Sequence, residues 1–232
     1  MARSRSGSAG SGRVLTDGKR RKPSSRRWLE RQMRDPYVIE ARRQGYRSRA
    51  AFKLKELDDR FRFLRPGARV VDLGAAPGGW TQFAVERVRP GQRAGGCIIA
   101  VDQAEFDPVS GAHIIQGDAR SEEILENVKT LLGAAADVVL SDMAPSAIGH
   151  RGADHLRIVA LAEAAVDIAE TLLAPGGTFV CKVWQGGMDS DLLARLKRSF
   201  STVRHAKPAA SRTESPEVFV VAQGFRRPKS QD

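Results

Sequence analysis

From Arg69 onward the sequence alternates short apolar runs with segments of helical spacing, and several of the runs close on an acidic residue. This alternation leaves few folds open. Arg69-Val70-Val71-Asp72-Leu73 is short and apolar and reads as a buried strand. A glycine-rich turn, Gly74-Ala75-Ala76-Pro77-Gly78-Gly79-Trp80, leads into a helix from Trp80 to Arg87, and Pro90-Gly91 closes it. The pattern repeats with strands at Cys97–Asp102, His113–Gln116, Asp137–Ser141 and Gly177–Trp184. Helices are expected over Ser121–Leu132, Ala153–Leu173 and Leu192–Phe200. Two last strands, near Val203–Lys207 and Val218–Gln223, follow each other without a helix between them. Strands that alternate with helices imply a parallel sheet covered on both faces. The expected fold is therefore α/β and Rossmann-like: a mostly parallel seven-stranded sheet, helices on both faces and an antiparallel edge strand.

In such a sheet, ligands bind beyond the carboxyl ends of the strands. Here those ends carry Asp72, Asp102, Asp118 and Asp142. Each acid alone could be a solvated strand end, but four at one sheet edge point to a site. The turn at Gly74, Gly78 and Gly79 lets a ligand approach the backbone closely. It lacks the G-x-G-x-x-G spacing of a dinucleotide site, and no Lys-Ser/Thr pair follows it as in a P-loop. A nucleoside ligand without phosphates fits better. Asp102 follows Gly78 by 24 residues, a distance suited to binding ribose hydroxyls. Asp118 could accept from an adenine amino group, with Gly117 leaving room.

The strand Thr178–Trp184 contains Lys182, and lysines are rarely buried without a partner. Lys182 could be an edge residue reaching water along its stem. It could also pair with Asp142, because neighbouring parallel strands bring their ends together.

Charge is concentrated at the other end of the chain. Of 38 Lys and Arg, 17 lie in residues 1–55, against 4 of the 27 Asp and Glu, so this stretch carries +13 and the remainder −2. A polyanion held beside one end of a near-neutral domain accounts for that distribution. Residues 1–27 read as a disordered basic tail, rich in Gly, Ser and Arg. Residues 28–225 read as one domain whose basic helical lead-in spans 28–65, and 226–232 as a C-terminal tail. In the lead-in, basic residues interleave with Trp28, Leu29, Met33, Tyr37 and Phe52, and short helices are expected over Ser25–Arg34, Asp35–Gln44 and Ser48–Arg60. Arg34, Arg42, Arg43, Arg47 and Arg49 are the candidates for phosphate contact. Cys97 and Cys181 sit in apolar runs and read as reduced core residues. His is scarce, so no metal site is expected. No stretch suits a membrane span or a secretory signal. A cytoplasmic monomer is the expectation.

Arg47-Ser48-Arg49-Ala50-Ala51-Phe52-Lys53-Leu54, Asp72 to Trp80, Ser141-Asp142-Met143-Ala144-Pro145, and Leu173-Ala174-Pro175-Gly176-Gly177 followed by Lys182-Val183 together resemble the FtsJ family. The resemblance covers about Trp28 to Gly224. It implies an S-adenosylmethionine-dependent enzyme that methylates a ribose 2′-hydroxyl of a uridine in the A loop of 23S rRNA, on the large ribosomal subunit, and aids subunit maturation. It implies that Gly74, Gly78, Gly79, Trp80, Asp72, Asp102, Asp118 and Asp142 hold the cofactor, with Trp80 and the Gly78/Gly79 backbone shaping its methionine end. It also implies a catalytic tetrad of Lys53, Asp142, Lys182 and Glu217. Pro216 departs from the residue type expected there, and Glu214 is a rival three positions away.

Lys182 is a base only when neutral. Burial and a second cation favour the neutral amine, a carboxylate neighbour favours the ammonium, and a charged Lys182 would orient the hydroxyl instead. Three rival functions remain from the sequence: a tRNA or mRNA-cap methyltransferase, a non-catalytic RNA-binding assembly factor, and an NAD-dependent reductase on a similar fold. Loss of the tail before Trp28 is expected to weaken RNA binding without removing activity.

Overall fold

β1 (Arg69–Leu73) is the strand around which the sheet is built, with parallel neighbours on both sides. One is β2 (Cys97–Asp102), which also pairs in parallel with β3 (His113–Gln116). The other is β4 (Ala136–Ser141), followed in parallel by β5 (Leu173–Trp184). β6 (Phe200–Ala206) and β7 (Glu217–Phe225) complete seven strands in the order β3-β2-β1-β4-β5-β7-β6. β7 runs antiparallel to both β5 and β6, so β6 lies outermost and β7 is inserted beside the parallel core. The structure is a computed structural model that describes residues 34–91, 96–145, 151–185 and 190–227. From Pro36 on, these residues form one compact unit. The expected helix at Ser25–Arg34 lies outside the described residues but for Arg34.

Strand alternation sends side chains to two cores. Val71, Leu73, Ile99, Val101, Val139, Phe179 and Val183 face one layer. It is covered by α4 (Glu122–Leu132), α5 (Arg151–Leu172) and α6 (Ser190–Ser199). Val70, Ile98, Val138, Leu140, Val180, Phe219 and Val221 face the other. That side is covered by α1 (Pro36–Gln44), α2 (Ala50–Phe61) and α3 (Gly79–Val88). The central strands are buried on both faces, which is why they read as continuous apolar runs.

The basic lead-in is part of this second layer. α2 buries Ala51, Phe52, Leu54 and Leu57, and ends at Arg62 in a left-handed conformation. Asp58 is buried there: its Oδ1 accepts from the Phe63 and Leu64 N–H groups at 3.1 and 2.8 Å. Its Oδ2 lies 3.3 Å from Arg87 Nε on α3. A carboxylate that answers main-chain donors beyond a helix end fixes where the chain turns toward β1. Both cysteines are free, and burial pushes the Cys181 thiol up to about 12, so it is inert at neutral pH.

Candidate active site

The carboxyl ends of β1 to β4 open onto a cavity of about 620 Å³. Gly74, Ala76, Asp102, Gln103, Gly117, Asp118, Asp142, Met143, Arg120, Arg157 and Leu161 are among its lining residues. Gly74 has φ +76°, and a Cβ there would lie 2.8 Å from the Met143 backbone, so the crossing of β1 and β4 ends requires glycine. Asp102 ties the glycine-rich turn to the end of β2. Its Oδ2 accepts from Ala76 N–H at 2.9 Å and its Oδ1 from Ala104 N–H at 2.8 Å. Asp118 is gripped by Arg120, which donates from Nη2 at 2.6 Å and from Nε at 2.9 Å. The Arg120 side chain is the main reason its carboxyl titrates as low as about 2.

The other expected ligand residues stand behind this wall. Asp72 is fully buried, and its Oδ2 accepts from the Thr81 hydroxyl at 2.7 Å. Its Oδ1 has no hydrogen-bond partner among the described residues. Burial pushes the Asp72 carboxyl up to about 7; the Thr81 bond opposes this, and the Asp142 and Asp102 charges add to it. Trp80 is 2% exposed, donates from Nε1 to Ala50 O at 2.8 Å and lies 5.7 Å from the Phe219 ring. It is a packing residue between α2 and β7 and does not line the cavity. Gly78 and Gly79 make room for the lead-in: added Cβ atoms would meet Arg47 and Ser48 respectively. Gly117 makes room for Ile124 of α4 in the same way.

Two ion pairs follow, the first sharing Asp142 with the cavity wall. Lys182 Nζ is 2.9 Å from Asp142 Oδ1 and donates to Asp142 O at 2.7 Å. Lys53 Nζ is 2.6 Å from Glu217 Oε1. The side chains of Lys182, Asp142, Lys53 and Glu217 are 10%, 20%, 14% and 12% exposed, so a reactant could reach them while bulk water is largely kept away. α2 delivers Lys53, the end of β4 Asp142, and the antiparallel ladder Lys182 and Glu217, because Trp184 of β5 pairs with Glu217 of β7. Burial pushes the Glu217 carboxyl up, but the charge and hydrogen bond of Lys53, with help from Ser211 and Lys182, outweigh it and hold it below the usual carboxylate range. Glu214 is exposed, three residues before this cluster.

The five arginines divide. Arg34 and Arg42 are exposed. Arg43 is 70% exposed and pairs with Glu40 on its own helix. Main-chain carbonyls hold the guanidinium groups of the other two: Arg47 donates to those of Pro77, Asp107 and Pro108, and Arg49 to that of Ala210. The sequence reading also missed Met143, Arg120, Arg157 and Leu161. Arg120, two residues past Asp118, was the one with a visible signal.

Among the described residues no helix is long and apolar enough to cross a membrane, and no group of three or more His, Cys, Asp or Glu could hold a metal ion.

Comparison with known proteins agrees with this architecture. The FtsJ-like methyltransferase family matches residues 46–225. The chain is 56% identical over 228 residues to the ribosomal RNA large subunit methyltransferase E of Paramagnetospirillum magneticum, covering 95% of this chain and 93% of that one. It is 58% identical to the protein of the same name from Rhodospirillum rubrum, over 92% and 81% of the two chains. A solved structure described as a ribosomal RNA methyltransferase from Plasmodium falciparum superposes with a TM-score of 0.68 at 31% identity, covering 78% of this chain and 98% of that one. With the parallel sheet, the acid-lined cavity and the paired lysines in place, the chain belongs to the FtsJ-like methyltransferase family.

Proposed function

We propose that this chain transfers a methyl group from S-adenosylmethionine to a ribose 2′-hydroxyl of large-subunit ribosomal RNA, a uridine in the A loop of 23S rRNA, during subunit maturation. In this reading residues 28–225 are one catalytic domain acting as a cytoplasmic monomer without a metal ion, and 1–27 and 226–232 are tails. The observation that carries it is the double position of Asp142. Asp142 lines the cavity and also holds Lys182, so the ligand pocket and the lysine–carboxylate cluster share a wall.

The cavity's residues fit the cofactor. Its volume is within the roughly 300–1,000 Å³ usual for small-ligand sites. Carboxylates at Asp102, Asp118 and Asp142 suit ribose hydroxyls, an amino group and a positive sulfur. When bound, the sulfonium supplies an electrophilic methyl group. The chain's part is to hold the hydroxyl. A lysine ammonium has three N–H donors; at Lys182 one goes to Asp142 O while Asp142 Oδ1 stands at ion-pair distance, and a donor is left for the substrate oxygen. Donation from Nζ would fix the direction of the oxygen lone pairs and stabilise negative charge as the hydroxyl proton passes to a water molecule. Lys53, held by Glu217, presents a second positive charge on the nucleotide side. Exposed Arg34, Arg42 and Arg43 are the arginines best placed to contact phosphates, contributing affinity without base specificity.

The test is methyl transfer from labelled S-adenosylmethionine to large subunits, naked rRNA and tRNA, with the product mapped to ribose or base. Ribose label on the large subunit is expected. Label on a base, or on tRNA alone, overturns the substrate assignment. Asp118→Asn is expected to weaken S-adenosylhomocysteine binding about tenfold in calorimetry, since a hydrogen bond to a charged group contributes roughly 1.5–3 kcal/mol. Unchanged affinity would remove Asp118 from the ligand contacts.

A further inference from the structure

Arg47 lies in the short connection between α1 and α2, yet its side chain reaches the far side of the glycine-rich turn. Nη1 donates to Pro77 O at 3.2 Å and to Asp107 O, and Nη2 to Pro108 O at 2.6 Å. Pro77 belongs to the loop after β1, and Asp107 and Pro108 to the loop after β2. These same loops supply Gly74, Ala76, Asp102, Gln103 and Ala104 to the cavity wall. On the inside they are tied by Asp102 to Ala76 N–H. On the outside Arg47 ties them.

The surroundings are shaped for that tie. A Cβ at Gly78 would stand 2.9 Å from Arg47 Nη1, so this glycine clears the path of the guanidinium. The connection itself is fastened to α3. Gln82 Oε1 accepts from Arg47 N–H at 2.8 Å, Gln82 Nε2 donates to Gly45 O at 3.0 Å, and Tyr46 donates to Glu86 Oε2 at 2.6 Å. Three residues into α2 beyond its start stands Lys53, which pairs with Glu217. One arginine therefore joins the loops that frame the cavity to the segment that carries Lys53.

We propose that Arg47 is a positioning residue that clamps the two loops framing the cofactor pocket, and that this task, not phosphate contact, is why an arginine stands there. The proposal rests on the reading of the cavity as the S-adenosylmethionine pocket. A planar guanidinium with five donors can serve three carbonyls on two loops, whereas a lysine ammonium offers one compact group.

Arg47→Lys and Arg47→Ala separate the two roles. A clamp predicts that both raise the KM for S-adenosylmethionine about tenfold, with the KM for RNA and its salt dependence unchanged and kcat within a few-fold. Lysine keeps the charge, so a phosphate contact predicts the opposite: rescue by lysine, and in the alanine variant weaker RNA binding with a salt slope smaller by about one. That outcome, or an unchanged cofactor KM in both variants, overturns the proposal. Hydrogen exchange without any cofactor provides an independent measure. The amides of Ala76, Gly78, Val109 and residues 103–107 should exchange faster in Arg47→Lys than in wild type, and equal rates overturn the clamp. If wild type binds no S-adenosylmethionine, the functional reading fails, and exchange alone decides the role of Arg47.

Discussion

Lys182→Ala is expected to lower kcat for methyl transfer by about 10²–10⁴-fold, the range associated with a positioned proton-transfer or orienting group. Lys182 is absent from the cavity lining, so cofactor affinity should change little. The loss should appear at saturating cofactor and RNA, as it must for a contact made in the transition state. Lys182→Arg should restore little of it. The lysine nitrogen sits 2.9 Å from Asp142 Oδ1 and 2.7 Å from Asp142 O, a compact seat that a forked guanidinium on a longer stem does not reproduce. Single-turnover transfer with saturating reactants measures it. A rate within threefold of wild type would place the chemistry elsewhere.

Asp72→Asn is expected to convert a pH-dependent stability into a flatter one. The folded protein raises this carboxyl from 3.8 to about 7, through burial first and the Asp142 and Asp102 charges besides. Folding therefore favours the protonated form. The stability present below the unfolded value is lost as pH rises toward 7, at about 1.4 kcal/mol per pH unit. Asparagine does not ionise. Between pH 5 and pH 7 wild type should lose about 2 kcal/mol relative to the variant, because the slope falls off as pH reaches the folded value. The buried amide of asparagine, placed where Asp72 Oδ1 has no partner, adds a cost that does not depend on pH. The difference between the two pH profiles is thus the signal, and the offset is not. Urea unfolding of both proteins across this range checks it. Parallel profiles would mean that Asp72 stays ionised in the folded state.

The sheet was legible because the strands have a local signature: apolar residues in runs of four to eight, set off by turns. The order of the last two strands was less so. Nothing local in Val218–Gln223 says that β7 enters between β5 and β6, which is decided by the cross-strand fit of Phe219 and Val221 with the second core. The tetrad residues were named from motifs, and geometry distinguishes Glu217 from exposed Glu214 by the reach of Lys53. Trp80, Arg47 and Arg49 show the limit of a linear reading. Their residue types suit ligand or phosphate contact, and nothing in the types says that partners 30 to 161 positions away hold them: Ala50, Pro77 and Ala210. Long-range partners of this kind leave no periodicity in the sequence. Gly78 and Gly79 were expected to admit a ligand to the backbone; what stands against them is Arg47 and Ser48.

The insertion of β7 has a consequence for how the protein is made. A ribosome releases the chain from its N-terminus, so β1 to β5 can assemble while the last residues are still inside the exit tunnel. At that stage β5 has an unpaired outer edge carrying Lys182, and Lys53 has no Glu217. β7, which closes this edge, follows β6 in the chain and takes its place between β5 and β6. Maturation of the site is thus tied to the release of β7. A nascent chain stopped before residue 217 retains the cavity's lining residues but lacks the carboxylate that seats Lys53, and its bare strand edge is open to pairing with other chains.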